Sequence, residues 1–315
     1  MSAARQLVPL QMVVSLTAVL WSVPVWGGQP IVPGTGIKAT QVGDDFEDPQ
    51  WEYLSRDPKS SQEMDEQARL PAGEARNGRW YEGIKRGHPD VVRRVPTPPG
   101  GLEGSTGALL LQSKRTGLPG RVTNRIQQDA FVADVNYRLG GALPAAQCPS
   151  AVVRVFLPPV DQWEQRTGPH FAFRCAAETY LNGKTETYWP GMFIVFEHDD
   201  NGDRYAHIRI RANRRGQDYI SRQITQTGWW TLGLSVSPDG LVHYYAKPGI
   251  ADLTAHDYLA SEQAFGYRCQ HFKTFFFNVC NIDDGKTWST PWIIDDPSVY
   301  YLPSETASRP IFGWR

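Results

Sequence analysis

The chain has 315 residues, 41% of them hydrophobic, enough to bury a full core in one large β domain or two small ones. Its 32 basic and 33 acidic residues leave a formal charge of −1. That balance excludes a bulk electrostatic drive toward nucleic acid or an anionic membrane surface.

Residues 1–27 hold one charge, Arg5, followed by an apolar run from Leu7 to Val25, with small residues at Val25 and Gly27. This is the pattern of a secretory signal peptide, the alternative being an uncleaved anchor, and it predicts a secreted, periplasmic or cell-surface protein. No later segment is apolar enough to span a membrane. Residues 28–41, rich in Gly and Pro, are expected to form a flexible leader, and residues 303–315 a tail. Between them, residues 42–302 are expected to form one domain, monomeric. Its N-terminal part holds a turn of helix near Ser60–Glu66 and a basic, Gly-punctuated loop region over Arg76–Arg94.

Strand candidates then follow at short spacing: Ala108–Ser113, Arg125–Tyr137, Ser150–Phe156, His170–Glu178, Met192–His198, Arg204–Asn213 and Tyr219–Ile224. From Gly228 to Gly249, Trp230, Leu232, Leu234 and Val236 alternate with polar or small residues, so one strand face is buried and the other polar. Ser237-Pro238-Asp239-Gly240 closes that strand in a tight turn onto Leu241–Ala246. A short helix is expected within Leu253–Ala264, then strands at Thr274–Asn281 and Trp292–Leu302. Asn182-Gly183, Asn201-Gly202 and Asp284-Gly285 punctuate the series. About ten strands with almost no helix predict an all-β, two-sheet antiparallel β-sandwich of jelly-roll type with an elaborated N-terminal loop region.

Three stretches carry a resemblance: DDFE at Asp44–Glu47, W-x-L-x-L-x-V-x-x-D-G at Trp230–Gly240 and WIIDDPSVYY at Trp292–Tyr301. The chain resembles the concanavalin A-like lectin/glucanase superfamily and is similar to uncharacterised secreted bacterial proteins of that fold. The resemblance implies two curved sheets with any glycan site on the concave one. It also implies that the two chain ends meet, where Asp45 or Glu47 and Asp295 or Asp296 offer oxygen ligands to a structural Ca²⁺.

Four cysteines in an exported chain predict two disulfides, Cys269–Cys280 and Cys148–Cys175 among three connectivities. Glu197 and Asp199, two apart on one strand, invite a glycosidase reading. However, the E-x-D-x-x-E signature that the resemblance brings has Gly202 in its last place, and Asp199–Asp203 reads as a hairpin turn. His207, Arg209 and Arg211 share one sheet face, which His243, Tyr245 (or Tyr244) and Asn278 could join. Arg forks carboxylate or sulfate groups, and a His or Tyr base would make such a face a lyase. Eleven tryptophans, two of them (Trp21, Trp26) in the signal segment, add a third theme. Trp80, Tyr81, Trp163, Tyr188, Trp189 and Trp288 lie in loop-like contexts suited to stacking on sugars. Taken together these features predict a protein that recognises an extracellular, acidic polysaccharide. A polysaccharide lyase or glycoside hydrolase on the same fold is the alternative.

Overall fold

The computed structural model describes residues 30–67, 73–117 and 120–303; the expected signal peptide and nearly all of the expected tail lie outside them. In chain order the elements are β1 (Ile37–Lys38), β2 (Tyr53–Leu54), α1 (Gln62–Asp65), β3 (Glu74–Ala75), β4 (Trp80–Glu82), β5 (Val91–Val95), β6 (Ala108–Gln112) and β7 (Gln127–Ala133). There follow α2 (Val135–Arg138), β8 (Leu143–Pro144), β9 (Ser150–Leu157), β10 (Gly168–Leu181), β11 (Lys184–Tyr188), β12 (Gly191–His198), β13 (Arg204–Arg211) and β14 (Tyr219–Ile224). The last five are β15 (Gly228–Val236), β16 (Val242–Pro248), β17 (Tyr258–Glu262), β18 (His271–Asn281) and β19 (Trp292–Tyr301).

These strands form two antiparallel sheets, the jelly-roll β-sandwich that the turn spacing predicts. The smaller sheet runs β17-β16-β15-β9-β19-β6-β5, with β1 on β19. The larger runs β14-β13-β12-β10-β18-β7-β4-β3-β2, with β11 on β10 and β8 on β18. Period-two alternation sends one side chain in two into the space between them. Phe171, Phe173, Phe275 and Phe277 of the larger sheet meet Trp230, Leu232, Leu234 and Ile294 of the smaller there. Trp80 stacks on Phe131 at 4.5 Å, and Trp292 packs on Phe171 at 4.8 Å. Among the described residues no helix is long and apolar enough to cross a membrane.

The β15–β16 hairpin forms as expected, with Gly240 at φ +80° and its N–H donating to the Ser237 carbonyl at 2.8 Å. Its polar face, however, is not solvated. Residues 30–38 lie across it: the Ser235 hydroxyl donates to the Ile31 carbonyl at 2.5 Å, and Gly34 N–H donates to Ser150 Oγ at 3.2 Å. Val32 packs with Val152, Tyr245 and Leu253. A side chain at Gly233 would meet Pro33 and Leu253 within 2.7 Å, so only Gly admits this covering segment. The expected flexible leader is therefore docked along the sheet.

Other differences have equally local causes. The basic region Arg76–Arg94 contains β4, too short at three residues to display a period, and most of β5, whose sequence VVRRV does not alternate. Within Leu253–Ala264 a 3-10 turn at Ala255–Asp257 leads into β17, because β16 offers it a free edge. All four cysteines are free and buried, so neither predicted disulfide exists. Cys280 is in β18 and Cys269 lies two residues before that strand, so the extended run from His271 to Cys280, about 30 Å at ~3.3 Å per residue, stands between them. A disulfide requires Cα atoms within about 7 Å. Cys175 points into the inter-sheet core, whereas Cys148 ends the 3-10 turn Ala145–Gln147 outside it.

Candidate functional site

The face of the larger sheet turned away from the core is built from cross-strand rows. Ala206, Ile208 and Ile210 of β13 enter the core, which leaves His207, Arg209 and Arg211 on the other side. Arg209 stands opposite Phe193, Phe193 opposite Ala172, Ala172 opposite Asn278 and Asn278 opposite Ala130. The next row runs Arg211, Gly191, Arg174, Phe276, Val132. At the Arg209 end of these rows is a hollow of about 120 Å³, which Arg209, Arg211 and Asp218 reach and Arg174 does not. Gln128, Pro169, Phe193, Arg209, Arg211 and Cys280 line it.

Arg174 is the residue that sequence reasoning missed. It is 8% exposed, and no ion pair to it exists among the described residues. Its Nε and Nη2 donate to the Trp189 carbonyl at 3.2 and 2.7 Å, and its Nη1 donates to Asn278 Oδ1 at 3.3 Å. Three of the five guanidinium donors are thereby used, leaving two. The rings of Phe193 and Phe276 lie 5.5 and 5.3 Å from the guanidinium carbon. Burial, with Arg211 and Arg86 nearby, pulls its pKa down to about 9, so the group still carries its charge at neutral pH. A Cβ at position 191 would fall 2.4 Å from Arg174 Cγ, so Gly191 makes room for it. The available signal was a lone Arg inside the apolar run His170–Ala177.

Arg209 reaches Glu197 and Arg211 reaches Asp218, each only at 3.5 Å. Both arginines are therefore loosely held beside the hollow. His207 shares their face but is buried, not exposed as expected. Burial, then the charge of Arg209, lowers its pKa below the usual value, and its Nδ1 has no hydrogen-bond partner. The ring of Tyr205, two residues before it, is 6.3 Å away. Trp189 packs beside Phe276 on the same face, with Lys85 Nζ 3.9 Å above its ring.

The remaining predicted residues fall elsewhere. His243 and Tyr245 are on the smaller sheet, buried beneath the covering N-terminal segment. His243 is held there by Ser261 Oγ at 2.5 Å and Ser237 Oγ at 2.8 Å. Tyr244 is in the core. Asp199 accepts hydrogen bonds from the N–H groups of Asn201 and Asp203 and closes the β12–β13 turn, so it does not face Glu197 across a site. Trp80, Trp163 and Tyr188 are core residues; Tyr81, Trp189 and Trp288 reach the surface.

The chain ends meet, but through the backbone: β1 pairs with β19, and Asp44 N–H donates to the Pro297 carbonyl at 3.2 Å. The proposed Ca²⁺ ligands are turned to protein donors. Asp45 accepts from the Glu47 N–H, and Glu47 accepts from Thr106 N–H and Oγ1 and from Gly107 N–H. Asp295, pushed up to about 6 by burial, accepts from Ser105 and Asp296. Among the described residues no three His, Cys, Asp or Glu side chains converge as metal ligands would.

The fold and this face define a jelly-roll β-sandwich carrying an arginine-rich outer face on its larger sheet. No family model and no curated protein matches the chain. Among solved structures it is similar to a carbohydrate esterase of Shiga toxin-encoding bacteriophage phi24B, with TM-score 0.44 and 9% identity over 72% of this chain and 91% of that one. It is also similar to alginate lyase Aly36B, with TM-score 0.39 and 12% identity over 84% and 98%. A third likeness is to alginate lyase PA1167 of Pseudomonas aeruginosa, with TM-score 0.37 and 9% identity over 67% and 83%. These likenesses are distant, and the reading below rests on this chain's own residues.

Proposed function

We propose that the protein binds an acidic polysaccharide outside the cell, with the outer face of the larger sheet, from Arg174 to the hollow at Arg209 and Arg211, as its site. The observation that carries this reading is Arg174, a buried cation with two spare donors and no carboxylate partner among the described residues. A buried charge is costly unless it is paired. Arg211 stands two strands away in the same row and Arg209 in the next, and a carboxylate- or sulfate-bearing chain would supply the anion that Arg174 lacks through charge-assisted hydrogen bonds. Phe193, which lines the hollow, offers an apolar contact to the sugars.

A second reading, a lyase, is favoured by His207. A neutral imidazole can accept the proton next to a uronate carboxylate while Arg209, whose Nη2 lies 3.4 Å from His207 Nε2, opposes the acid group. A glycosidase is disfavoured, because Asp199 is committed to its turn and Glu197 meets Arg209.

An array of uronate, sulfated and neutral polymers, scored for retention and for unsaturated ends, tests both readings. Retention confined to acidic polymers is expected. Arg209→Ala and Arg211→Ala should each weaken it about tenfold, the size of one charged hydrogen bond, with little change in the melt. Unsaturated ends that vanish in His207→Asn would assign the lyase. Equal retention of neutral polymers would defeat the acidic ligand.

A further inference from the structure

The outer face of β10 continues beyond Arg174 through Ala176 and Glu178 to Tyr180, since alternate residues share a face. The register agrees: Glu178 lies opposite His271 and Thr187, and Tyr180 opposite Thr185. There the β10–β11 hairpin projects, its tip formed by Asn182 and Gly183 at φ +52° and +79°, a turn that fits the strand twist. At its base is a hollow of about 520 Å³, lined by Asn136, Glu178, Thr179, Tyr180, Thr185 and His271. Tyr180 is 64% exposed, and Tyr137, next to Asn136, is 84% exposed. Large rings left this open on a projecting hairpin contribute little to the core.

We infer that this hollow is a second sugar-binding position, taking a later ring of the same chain that the arginine face holds. The inference rests on the acidic-polysaccharide reading. Six residues of β10 separate Tyr180 from Arg174, about 20 Å at ~3.3 Å per residue, and the hollow at Arg209 lies farther still, so the ligand is a long chain rather than a short oligosaccharide. The two positions differ in chemistry. Lys273 beside the hollow is tied to Glu178 at 2.8 Å, and Glu178 would repel an acid group. The hollow therefore takes the ring face on Tyr180 and hydroxyl groups on Asn136, Thr185 and His271.

Titration of a uronate trisaccharide and of a dodecasaccharide of the same sugar into wild type, Tyr180→Ala and Tyr180→Phe tests this. Tethering makes the second contact effectively intramolecular. Tyr180→Ala should therefore weaken dodecasaccharide binding about tenfold and leave the trisaccharide unchanged. Tyr180→Phe should retain wild-type affinity. The Tyr180 increment should persist at high salt while the arginine contribution shrinks. Wild-type dodecasaccharide binding in Tyr180→Ala, or equal weakening of both ligands, overturns the second position and leaves the arginine face standing. Failure of wild type to bind either ligand removes the acidic-polysaccharide reading and this inference together.

Discussion

Replacing Arg174 with Met is expected to abolish most of the affinity for acidic polysaccharide while leaving the fold intact. The buried guanidinium is the charge that an anionic ligand would neutralise, and removing it takes away both its field and its two spare donors. Charged hydrogen bonds contribute about 1.5–3 kcal/mol each, so loss of two predicts a fall of at least about a hundredfold. Stability should respond weakly, because two effects oppose each other. The Trp189 carbonyl loses its donors, a cost of about 1–3 kcal/mol, but an unpaired buried charge is replaced by an apolar chain of similar length. Calorimetric titration beside a thermal melt reads both quantities. Unchanged affinity would show that Arg174 is structural.

Lys59→Met should have the largest effect on stability. Lys59 Nζ is buried between Asp90 Oδ1 at 2.8 Å and Asp129 Oδ2 at 3.0 Å, and also donates to the Arg115 carbonyl. It fastens the segment before α1 to β7. Burial opposes its charge, but Asp129 and Asp90 outweigh burial and raise its pKa. Burial pushes Asp129 up to about 6 despite the cation beside it. Without Lys59 the Asp129 carboxylate is stranded, and breaking a buried pair costs about 3–5 kcal/mol. The sign with pH follows. A carboxyl whose folded pKa lies above its unfolded value binds its proton more readily when folded, so protonation favours the native state as pH falls through that pKa. The deficit of the variant should therefore shrink between pH 7 and pH 5. Denaturant melts at both values check this; a deficit that is small, or that grows in acid, would contradict the pairing.

Most strands of at least five residues were legible because alternation is local. Arg204–Asn213 and Trp292–Leu302 end within two residues of the observed β13 and β19. The two-residue strands β1, β2 and β3 are too short to show a period and exist only because an edge is there to pair with. The candidate site was half legible. His207, Arg209 and Arg211 were read onto one face, and Asn278 joins them, but His243 and Tyr245 carry an equally good alternation and stand on the other sheet. Which sheet a strand enters depends on pairings far apart in sequence, which no period reveals. Arg174 was overlooked because an Arg in an apolar run resembles an interruption of the pattern. Only the neighbours across β12 and β18 show that it has no counter-ion. The cysteines misled for a related reason: an even count suggests pairing, but nearly all of the extended β18 lies between Cys269, which precedes it, and Cys280.

The most direct measurement compares the affinity of the wild-type protein for a polyuronate with that for the same polymer after its carboxyl groups are reduced to alcohols. The ring faces and hydroxyls are shared, so only the charge differs. A sheet face carrying Arg174, Arg209 and Arg211 predicts binding of the acidic polymer at least about tenfold tighter at low salt. That margin should narrow as salt screens the exposed arginines. Equal affinity for the two polymers at low salt would contradict an acid-recognising face.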